Sequence, residues 1–286
     1  MNASTDRRRG AAFGAVVCAL LAAALLAGCS QPYLTDDRRQ NGLVMVFTGI
    51  EGRSRLNMDI CHGLDAGGVE QYAIELVDWT TRWPVAYVVN VRRQGRNRRK
   101  AAEIAEKIVK YQVRYPGRPV LLVGQSGGAA IALWAAEALP PYRQVDGIVL
   151  LAAALSPEYP LAEALRKSRR GIVSFHSRRD WVFLGAGTTL VGTMDGRHGS
   201  AAGRQGFAVP AEGPAAELYK EKLFQIAWHE QVYTSGYGGH LTSGSRPFVA
   251  SHVAPFCLAE TWNQPLVDRV LSGRAFWFGP GRSGGD

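Results

Sequence analysis

One serine of this chain lies in a sequence environment that could make it a nucleophile. Ser126 is the centre of Gly124-Gln125-Ser126-Gly127-Gly128, which follows the apolar residues 120–123 and precedes a stretch of small residues. An apolar strand, a tight turn and a helix would present the serine hydroxyl at the end of a sheet. The glycines fit this interpretation, because side chains at 124 and 128 would collide with neighbouring elements. The alternative is an ordinary turn serine.

A serine hydroxyl is a poor nucleophile near neutral pH, so it needs a base within hydrogen-bond reach and a group that orients the base. His240, in Gly238-Gly239-His240, follows the last predicted strand and is the preferred candidate base. His176 ends a predicted strand and could line the pocket, whereas His229 comes too early for the loop after the last strand. The remaining histidines are weaker candidates that fall in predicted helices or in a glycine-rich loop: His62, His252 and His198.

Metal and cofactor chemistry is not indicated by these residues. None of the histidines is spaced with another histidine, a carboxylate or a cysteine in the way that metal ligands usually are. The spacing of these residues therefore predicts no metal site.

The elements that would hold Ser126 alternate between short apolar runs and helical stretches to the end of the chain. This alternation predicts an α/β fold with a mostly parallel sheet that carries helices on both faces. Predicted strands cover residues 43–47, 73–77, 120–123, 147–151, 171–175 and 224–228. Predicted helices cover residues 55–64, 97–115, 127–138, 161–168 and 244–258, residues 85–91 could be strand or lid, and residues 185–206 should form an irregular loop near the site.

Over most of its length the chain resembles α/β-hydrolase-fold serine hydrolases. This resemblance implies hydrolysis of a carboxylic ester, amide or thioester through an acyl-enzyme, without a cofactor. In that family the catalytic serine is followed along the chain by an acid and then by a histidine. The resemblance implies Ser126 as nucleophile, His240 as base and Asp180 as acid, since Asp180 follows the strand two places after the serine strand. Asp195 is the alternative acid, and a helix N-cap is the alternative role for Asp180.

The resemblance also implies two backbone donors for an oxyanion hole. One is Gly127, which follows the nucleophile. The other is Ile50, because Thr48-Gly49-Ile50-Glu51-Gly52 is similar to the family's His-Gly-x-x-Gly with threonine in place of histidine. A plain glycine turn is the alternative for this loop.

The N-terminus has the pattern of an export signal. Arg7-Arg8-Arg9 precedes an apolar run over residues 11–27, which is short for a membrane-spanning helix. The run ends in Leu26-Ala27-Gly28-Cys29, which resembles the lipobox of bacterial lipoproteins. That resemblance implies cleavage before Cys29, acylation of this cysteine and attachment to a membrane of the cell envelope, with the outer membrane favoured. An uncleaved anchor and an ordinary secretory signal are the alternatives.

The expected organisation is a signal peptide over residues 1–28, a polar tether over 29–41 and a single hydrolase domain over 42–286. In an oxidising compartment Cys61 and Cys257 could form a disulfide, because the helices that carry them cover the same face of the sheet in the α/β-hydrolase fold. Two buried free thiols are the alternative.

Charge adds little to the functional interpretation. The 286 residues carry a formal net charge of +9, and much of it lies in residues 92–100. No nucleic-acid-binding motif accompanies this run and no aromatic residues interleave it, so nucleic acid is not an expected partner. The expected interpretation is a solvated loop and first helical turn.

Three functions remain open from the sequence. The first is an envelope esterase or lipase that acts on an acyl ester through a covalent acyl-enzyme. The second is an acyltransferase or an amidase that uses the same three residues. The third is a binding protein that has kept the fold without catalysis, although the complete order of serine, acid and histidine disfavours it.

Overall fold

The computed structural model describes residues 31–81, 86–180, 184, 188, 192–229 and 238–272. The chain divides into two compact units, Met1–Pro32 and Tyr33–Asp286, and every element named below belongs to the second. Within the described ranges, the helices are all too short or too polar to cross a bilayer.

Six strands form one parallel sheet in the order β2-β1-β3-β4-β5-β6. Their bounds are β1 Leu43–Phe47, β2 Ala73–Val77, β3 Val120–Gln125, β4 Gly147–Leu151, β5 Ile172–His176 and β6 Leu223–Ala227. From β1 the chain moves outward to β2 and then returns to place β3 on the other side of β1. The order therefore reverses between β1 and β3, and ligands of open α/β sheets bind outside the carboxyl ends of the strands at such a point.

Helices cover both faces of the sheet. Their bounds are α1 Asp36–Arg39, α2 Arg55–Ala66, α3 Ala86–Arg92, α4 Gln94–Arg114, α5 Gly127–Glu137, α6 Ala162–Arg166, α7 Ala202–Gln205, α8 Pro214–Lys222, α9 Arg246–Phe248, α10 Ala254–Leu258 and α11 Gln264–Leu271. A π-helical segment, Val249–Val253, joins α9 to α10, and short 3-10 turns cover Val69–Gln71 and Thr242–Gly244.

The core has two halves, one on each face of the sheet. In β1 the side chains of Leu43, Met45 and Phe47 enter one hydrophobic cluster, and those of Val44 and Val46 enter the other. Alternate side chains of a strand point to opposite faces, so a strand that is covered on both sides must be apolar at every position. This explains the continuous apolar runs that the sequence shows in place of alternation.

The α/β class and the parallel sheet with helices on both faces are confirmed. Each predicted strand exists, with bounds that differ from the prediction by two residues at most. The strand alternative for residues 85–91 is wrong, because residues 86–92 form helix α3, and residues 82–85 lie outside the described part. Parts of the glycine-rich segment 185–206 also lie outside it, and its described end contains α7.

Two features of the C-terminal half differ from the prediction. The helix predicted over residues 244–258 exists from Arg246 to Leu258, but residues 249–253 within it are π-helical, since Pro255 has no N–H to continue regular α-helical bonding. Helices α8 and α11 were not predicted. Their sequence signals were a proline in the first turn of each, and for α11 also the N-cap Asn263.

The segment predicted as a polar tether packs against the domain from Tyr33 onward. The carbonyl of Tyr33 accepts a hydrogen bond from the N–H of Ile74 at 3.1 Å, and its hydroxyl lies 2.6 Å from Nδ1 of His62. Arg38 of α1 forms an ion pair with Asp65 at 2.7 Å. The folded unit thus begins about nine residues earlier than the predicted boundary at residue 42.

The disulfide considered between Cys61 and Cys257 is not formed. Both are buried free cysteines in the same half of the core, the half shared by α2 and α10. Burial raises the pKa of each thiol to about 12, because an apolar interior disfavours the thiolate. The structure therefore supports the alternative of two inert, buried thiols.

Candidate active site

Ser126 lies at the point where the strand order reverses. It connects the end of β3 to the start of α5 and has φ 54° and ψ −119°, a positive φ that a non-glycine residue rarely adopts. Its N–H donates to the carbonyl of Leu151 at 2.9 Å, and its carbonyl accepts from Ala154 at 3.1 Å. Neighbouring backbone thus holds a strained conformation in place, as is common at functional sites.

Glycines at 124 and 128 are required by close contacts around this turn. A Cβ at Gly128 would lie 2.4 Å from the carbonyl oxygens of Phe47 and Thr48. A Cβ at Gly124 would lie 2.6 Å from Cα of Ala129. Since these neighbours are backbone atoms at the end of β1, in the loop after it and in α5, neither contact could be relieved by rotating a side chain. The expected collision at both positions is therefore found.

His240 and Asp180 are in contact although 60 residues separate them. Nδ1 of His240 lies 2.5 Å from Oδ2 of Asp180, and the Asp180 side chain is only 2% exposed. A carboxylate on Nδ1 fixes the tautomer that leaves Nε2 as the acceptor. That Nε2 atom lies 3.5 Å from the side-chain nitrogen of Gln125, the residue before Ser126. The basic nitrogen of His240 is thereby directed at the serine turn.

Asp195, the alternative acid, has a different partner. One carboxylate oxygen of Asp195 accepts the backbone N–H of Ser156 at 2.9 Å, and the other accepts the Ser156 hydroxyl. These bonds anchor the loop that buries Met194 beside Gly127. The alternative role of Asp180 as a helix N-cap concerns residues 181–183, which lie outside the described part of the chain; its second oxygen accepts from the N–H of Leu184 at 3.4 Å.

Two backbone segments suited to an oxyanion hole flank Ser126. Gly127 is the first residue of α5, where N–H groups have no intrahelical acceptor and the helix dipole is positive. Ile50 belongs to the loop after β1, and its Cγ2 would lie 2.6 Å from a Cβ at Gly127. The loop and the helix start therefore lie side by side, as two donors to one oxygen would have to.

The loop 48–52 is held by donors from three side chains that sequence reasoning did not identify. The carbonyl of Thr48 accepts from the Trp79 indole at 2.7 Å, that of Ile50 from Asn90 at 3.0 Å and that of Gly52 from Asn57 at 3.0 Å. Asparagines give no periodic or motif signal in a sequence, so only the tertiary structure shows that these side chains hold the loop.

Residues of the basic run 92–100 reinforce this loop. Asn97 donates to the carbonyl of Asn90 at 2.6 Å, and Arg96 donates to Asn97 at 3.2 Å and to the carbonyl of Trp79 at 3.0 Å. Asn90 and Asn97 are buried. The interpretation of the run as merely solvated is thus corrected for residues 96 and 97, while Arg92, Arg93 and Arg99 are exposed.

Replacing Asn90 should impair catalysis more than binding. Asn90→Ala removes the bond to the Ile50 carbonyl, so the loop loses one of its three attachments and the Ile50 N–H, the expected oxyanion donor, is less well aimed. We expect kcat to fall by about 10- to 100-fold with little change in KM, below the ~10²–10³-fold cost of losing a whole oxyanion donor. Steady-state kinetics on an ester substrate measures kcat and KM separately.

Asn263→Ala is the matched control for this prediction. It removes the side-chain cap of α11, where Asn263 accepts from the N–H of Leu266 at 2.9 Å, and should cost about 1 kcal/mol of stability. Its kcat should equal that of the wild type. A fall in kcat for both variants would mean that general destabilisation, and not the loop, causes the effect.

The other histidines have structural surroundings. His252 stacks on Phe248 in the core, and His62 contacts Tyr33. His176 borders a cavity of about 20 Å³ next to Asp180, and burial lowers its pKa, which favours the neutral ring. Across the described ranges, no group of three or more histidine, cysteine or carboxylate side chains is arranged to hold a metal ion.

Comparison with known proteins gives structural neighbours only. No family model and no curated protein matches the chain. A Xanthomonas campestris protein described as a hydrolase of the alpha/beta superfamily is 18% identical, with 73% of this chain and 96% of that chain covered at a TM-score of 0.38. A lipase-esterase related protein from Clostridium acetobutylicum is 11% identical, with coverage of 77% and 94% and a TM-score of 0.41. A cutinase-like protein from Cryptococcus sp. is 14% identical, with coverage of 76% and 93% and a TM-score of 0.41. At such identities and scores, the reaction has to be argued from the site itself.

Proposed function

We propose that this protein is a serine hydrolase of the α/β-hydrolase type that cleaves a carboxylic ester through Ser126, His240 and Asp180. The observation that carries the proposal is the His240–Asp180 contact of 2.5 Å, which leaves the second imidazole nitrogen, Nε2, on the side of the strained serine turn. A binding protein would have no need to hold a buried carboxylate on Nδ1 of a histidine beside such a serine. The three groups fit the roles of nucleophile, base and orienting acid.

The proposed reaction has two halves. The Ser126 oxygen attacks the ester carbonyl carbon while its proton passes to Nε2 of His240, and the carbonyl π electrons move to the oxygen. The N–H groups of Gly127 and Ile50 stabilise this oxyanion, and its collapse expels the alcohol, which takes the proton from His240. Water then attacks the acyl-enzyme in the same way, releases the acid and restores Ser126.

The surroundings of Gly127 are apolar and closely packed. Besides Ile50, a Cβ at Gly127 would lie 3.3 Å from Cζ2 of Trp79 and 3.4 Å from the sulfur of Met194. All three side chains are apolar where they approach the helix start, and Trp79 and Met194 are buried. These contacts leave no space for a side chain at residue 127.

Trapping the acyl-enzyme tests this proposal directly. The full-length protein is incubated with a fluorophosphonate probe and with a series of esters of increasing acyl length, and peptide mass spectrometry locates the adduct. We expect modification at Ser126 and turnover of esters in preference to amides. The ester series is repeated with an added alcohol or amine, which can accept the acyl group in place of water. Predominant transfer of the acyl group to this acceptor would identify an acyltransferase. Modification at a different serine, or none, would contradict the proposal.

We further propose that the enzyme is attached to the cell envelope through lipidated Cys29. The support is the order of the basic residues, the apolar run and Leu26-Ala27-Gly28-Cys29 in the sequence. Attachment by acyl chains would place the hydrolase at a bilayer surface outside the cytoplasm.

Replacing Cys29 should block maturation. Cys29→Ser removes the acceptor thiol, so we expect a larger precursor on a gel and no incorporation of labelled palmitate when the chain is produced in a Gram-negative host. Cys18→Ser, a cysteine within the apolar run, is the matched control and should leave processing and labelling unchanged. Normal processing of the Cys29 variant would refute the lipid attachment while leaving the proposed hydrolysis untouched.

A further inference from the structure

A basic groove lies at the end of the sheet opposite to Ser126. It has a volume of about 500 Å³, and its lining includes Arg118, Arg143, Arg169 and the carboxylate of Asp146. Asp146 pairs with Arg169. The Nε atom of Arg143 is buried, and no acceptor for it exists among the described residues. Three guanidinium groups against one carboxylate give the groove an excess of positive charge, and the proposed reaction makes no use of them.

Exposed apolar side chains flank this groove. Tyr142, which lines it, is 80% exposed, and Val113, next to the lining residue Gln112, is 65% exposed. Only two other large hydrophobic side chains in the described part of the chain are exposed. Arginines mixed with an aromatic and an aliphatic side chain form a surface suited to the boundary between water and a lipid bilayer.

The start of the folded unit lies against the same end of the sheet. The N–H of Leu43, at the start of β1, donates to the carbonyl of Pro119 at 2.9 Å, directly after Arg118. The hydroxyl of Tyr111, next to Gln112, donates to the carbonyl of Arg39 at 2.7 Å. Cys29 precedes Tyr33 by four residues, and four residues span at most about 14 Å. Acyl chains on Cys29 would therefore hold a bilayer close to this end of the sheet.

We propose that the basic groove is the face with which the protein rests on the anionic surface of the bilayer that holds its lipidated Cys29. This inference depends on the proposed lipidation of Cys29 and not on the proposed hydrolysis. The guanidinium groups of Arg118 and Arg143 contact lipid phosphates, and Tyr142 and Val113 enter the interface. The six-residue strand β3 then separates the groove from Ser126 by about 20 Å.

This orientation has a consequence for the substrate class. Ser126, His240 and the loop after β1 all lie at the carboxyl ends of the strands, so they face away from the bilayer. The ester therefore reaches Ser126 from the aqueous phase, as a soluble or peripherally presented acyl ester, and not by lateral diffusion within the anchoring leaflet.

Fluorescence quenching tests the orientation in the full, lipidated chain. The protein carries a fluorophore on Val113→Cys or on Arg92→Cys and is reconstituted into vesicles that contain a headgroup quencher. The lipids of these vesicles are either neutral or about one third anionic. Val113 belongs to the groove end, and Arg92 is an exposed residue next to the start of α4 at the catalytic end. We expect strong quenching at Val113 in anionic vesicles, weak quenching at Arg92, and loss of the difference at high salt.

Charge variants identify the groove as the cause. Each arginine near an anionic surface contributes about a five-fold change in affinity, so R118Q/R143Q should weaken surface contact by about 25-fold and reduce quenching at Val113. The matched control R93Q/R99Q removes two exposed arginines at the catalytic end and should leave quenching unchanged. Thermal melting of each variant verifies folding.

Specific outcomes would overturn the proposal. These are equal quenching at both probes, stronger quenching at Arg92, or quenching at Val113 that does not depend on lipid charge. Mass spectrometry of the same samples reports lipidation, and ester turnover is measured in parallel. A protein that fails to hydrolyse esters but shows the expected quenching would contradict the proposed reaction alone.

Discussion

Ser126→Ala should abolish turnover while the protein remains folded. The variant lacks the oxygen that forms the acyl-enzyme, and we expect kcat to fall by roughly 10³-fold or more, with loss of fluorophosphonate labelling. His240→Ala should have an effect of similar size, because Ser126 then has no base. Since both groups act in one proton transfer, the double variant should be little worse than either single variant. Ester kinetics and circular dichroism of all three variants provide the measurements.

Ser174→Ala is the matched control for the serine variant. Ser174 is another buried strand serine, on β5, and its hydroxyl has no hydrogen-bond partner in the described part of the chain. Removing an unpartnered buried hydroxyl should be nearly neutral for stability. Its kcat should therefore match that of the wild type. Labelling that persists in Ser126→Ala would refute the proposed nucleophile.

Asp180→Asn should be the most damaging conservative substitution in the chain. An amide can place its NH2 group against Nδ1 of His240, which would favour the tautomer with the proton on Nε2 and leave no base for Ser126. We expect a decrease in kcat of about 10⁴-fold with the fold preserved. Asp180→Ala should also inactivate, but it leaves a gap beside a buried ring and is a less specific test.

Asp195→Ala distinguishes the two candidate acids. It removes both bonds to Ser156, so it should cost about 1–3 kcal/mol of stability. Because Asp195 also anchors the loop of Met194, we allow a loss of up to about ten-fold in kcat, far below that of Asp180→Asn. Thermal melting and ester kinetics on both variants show which of the two carboxylates orients His240. Inactivation by Asp195→Ala with an active Asp180→Asn enzyme would reverse the assignment.

Local sequence patterns were sufficient for the sheet and for the serine turn. The strands are buried on both faces, so their apolar runs stand out whatever their neighbours are. Gly124 and Gly128 are fixed by contacts that form within the turn and at the end of β1. The turn pattern therefore identified Ser126 as the candidate nucleophile.

Local sequence patterns were less informative where the structure of a segment depends on residues that are distant in the chain. The packing of residues 33–42 on the domain results from contacts between segments far apart in the chain, such as the bond from the N–H of Ile74 to the carbonyl of Tyr33. The same holds for Cys61 and Cys257, whose helices do cover one face of the sheet as expected but whose thiols remain unpaired.

The sequence by itself determined which residue types could do chemistry and in what order they occur. It left two acids open, since Asp180 and Asp195 both follow β5 in the chain. Only the tertiary structure decided between their contacts, with Asp180 on His240 and Asp195 on Ser156. It also decided which polar side chains support the loop 48–52, because Trp79, Asn90 and Asn97 act through hydrogen bonds to backbone up to 40 residues away. The physical reason is that periodicity and turn chemistry act over a few neighbouring residues, whereas a catalytic arrangement is completed by contacts that only the folded chain brings together.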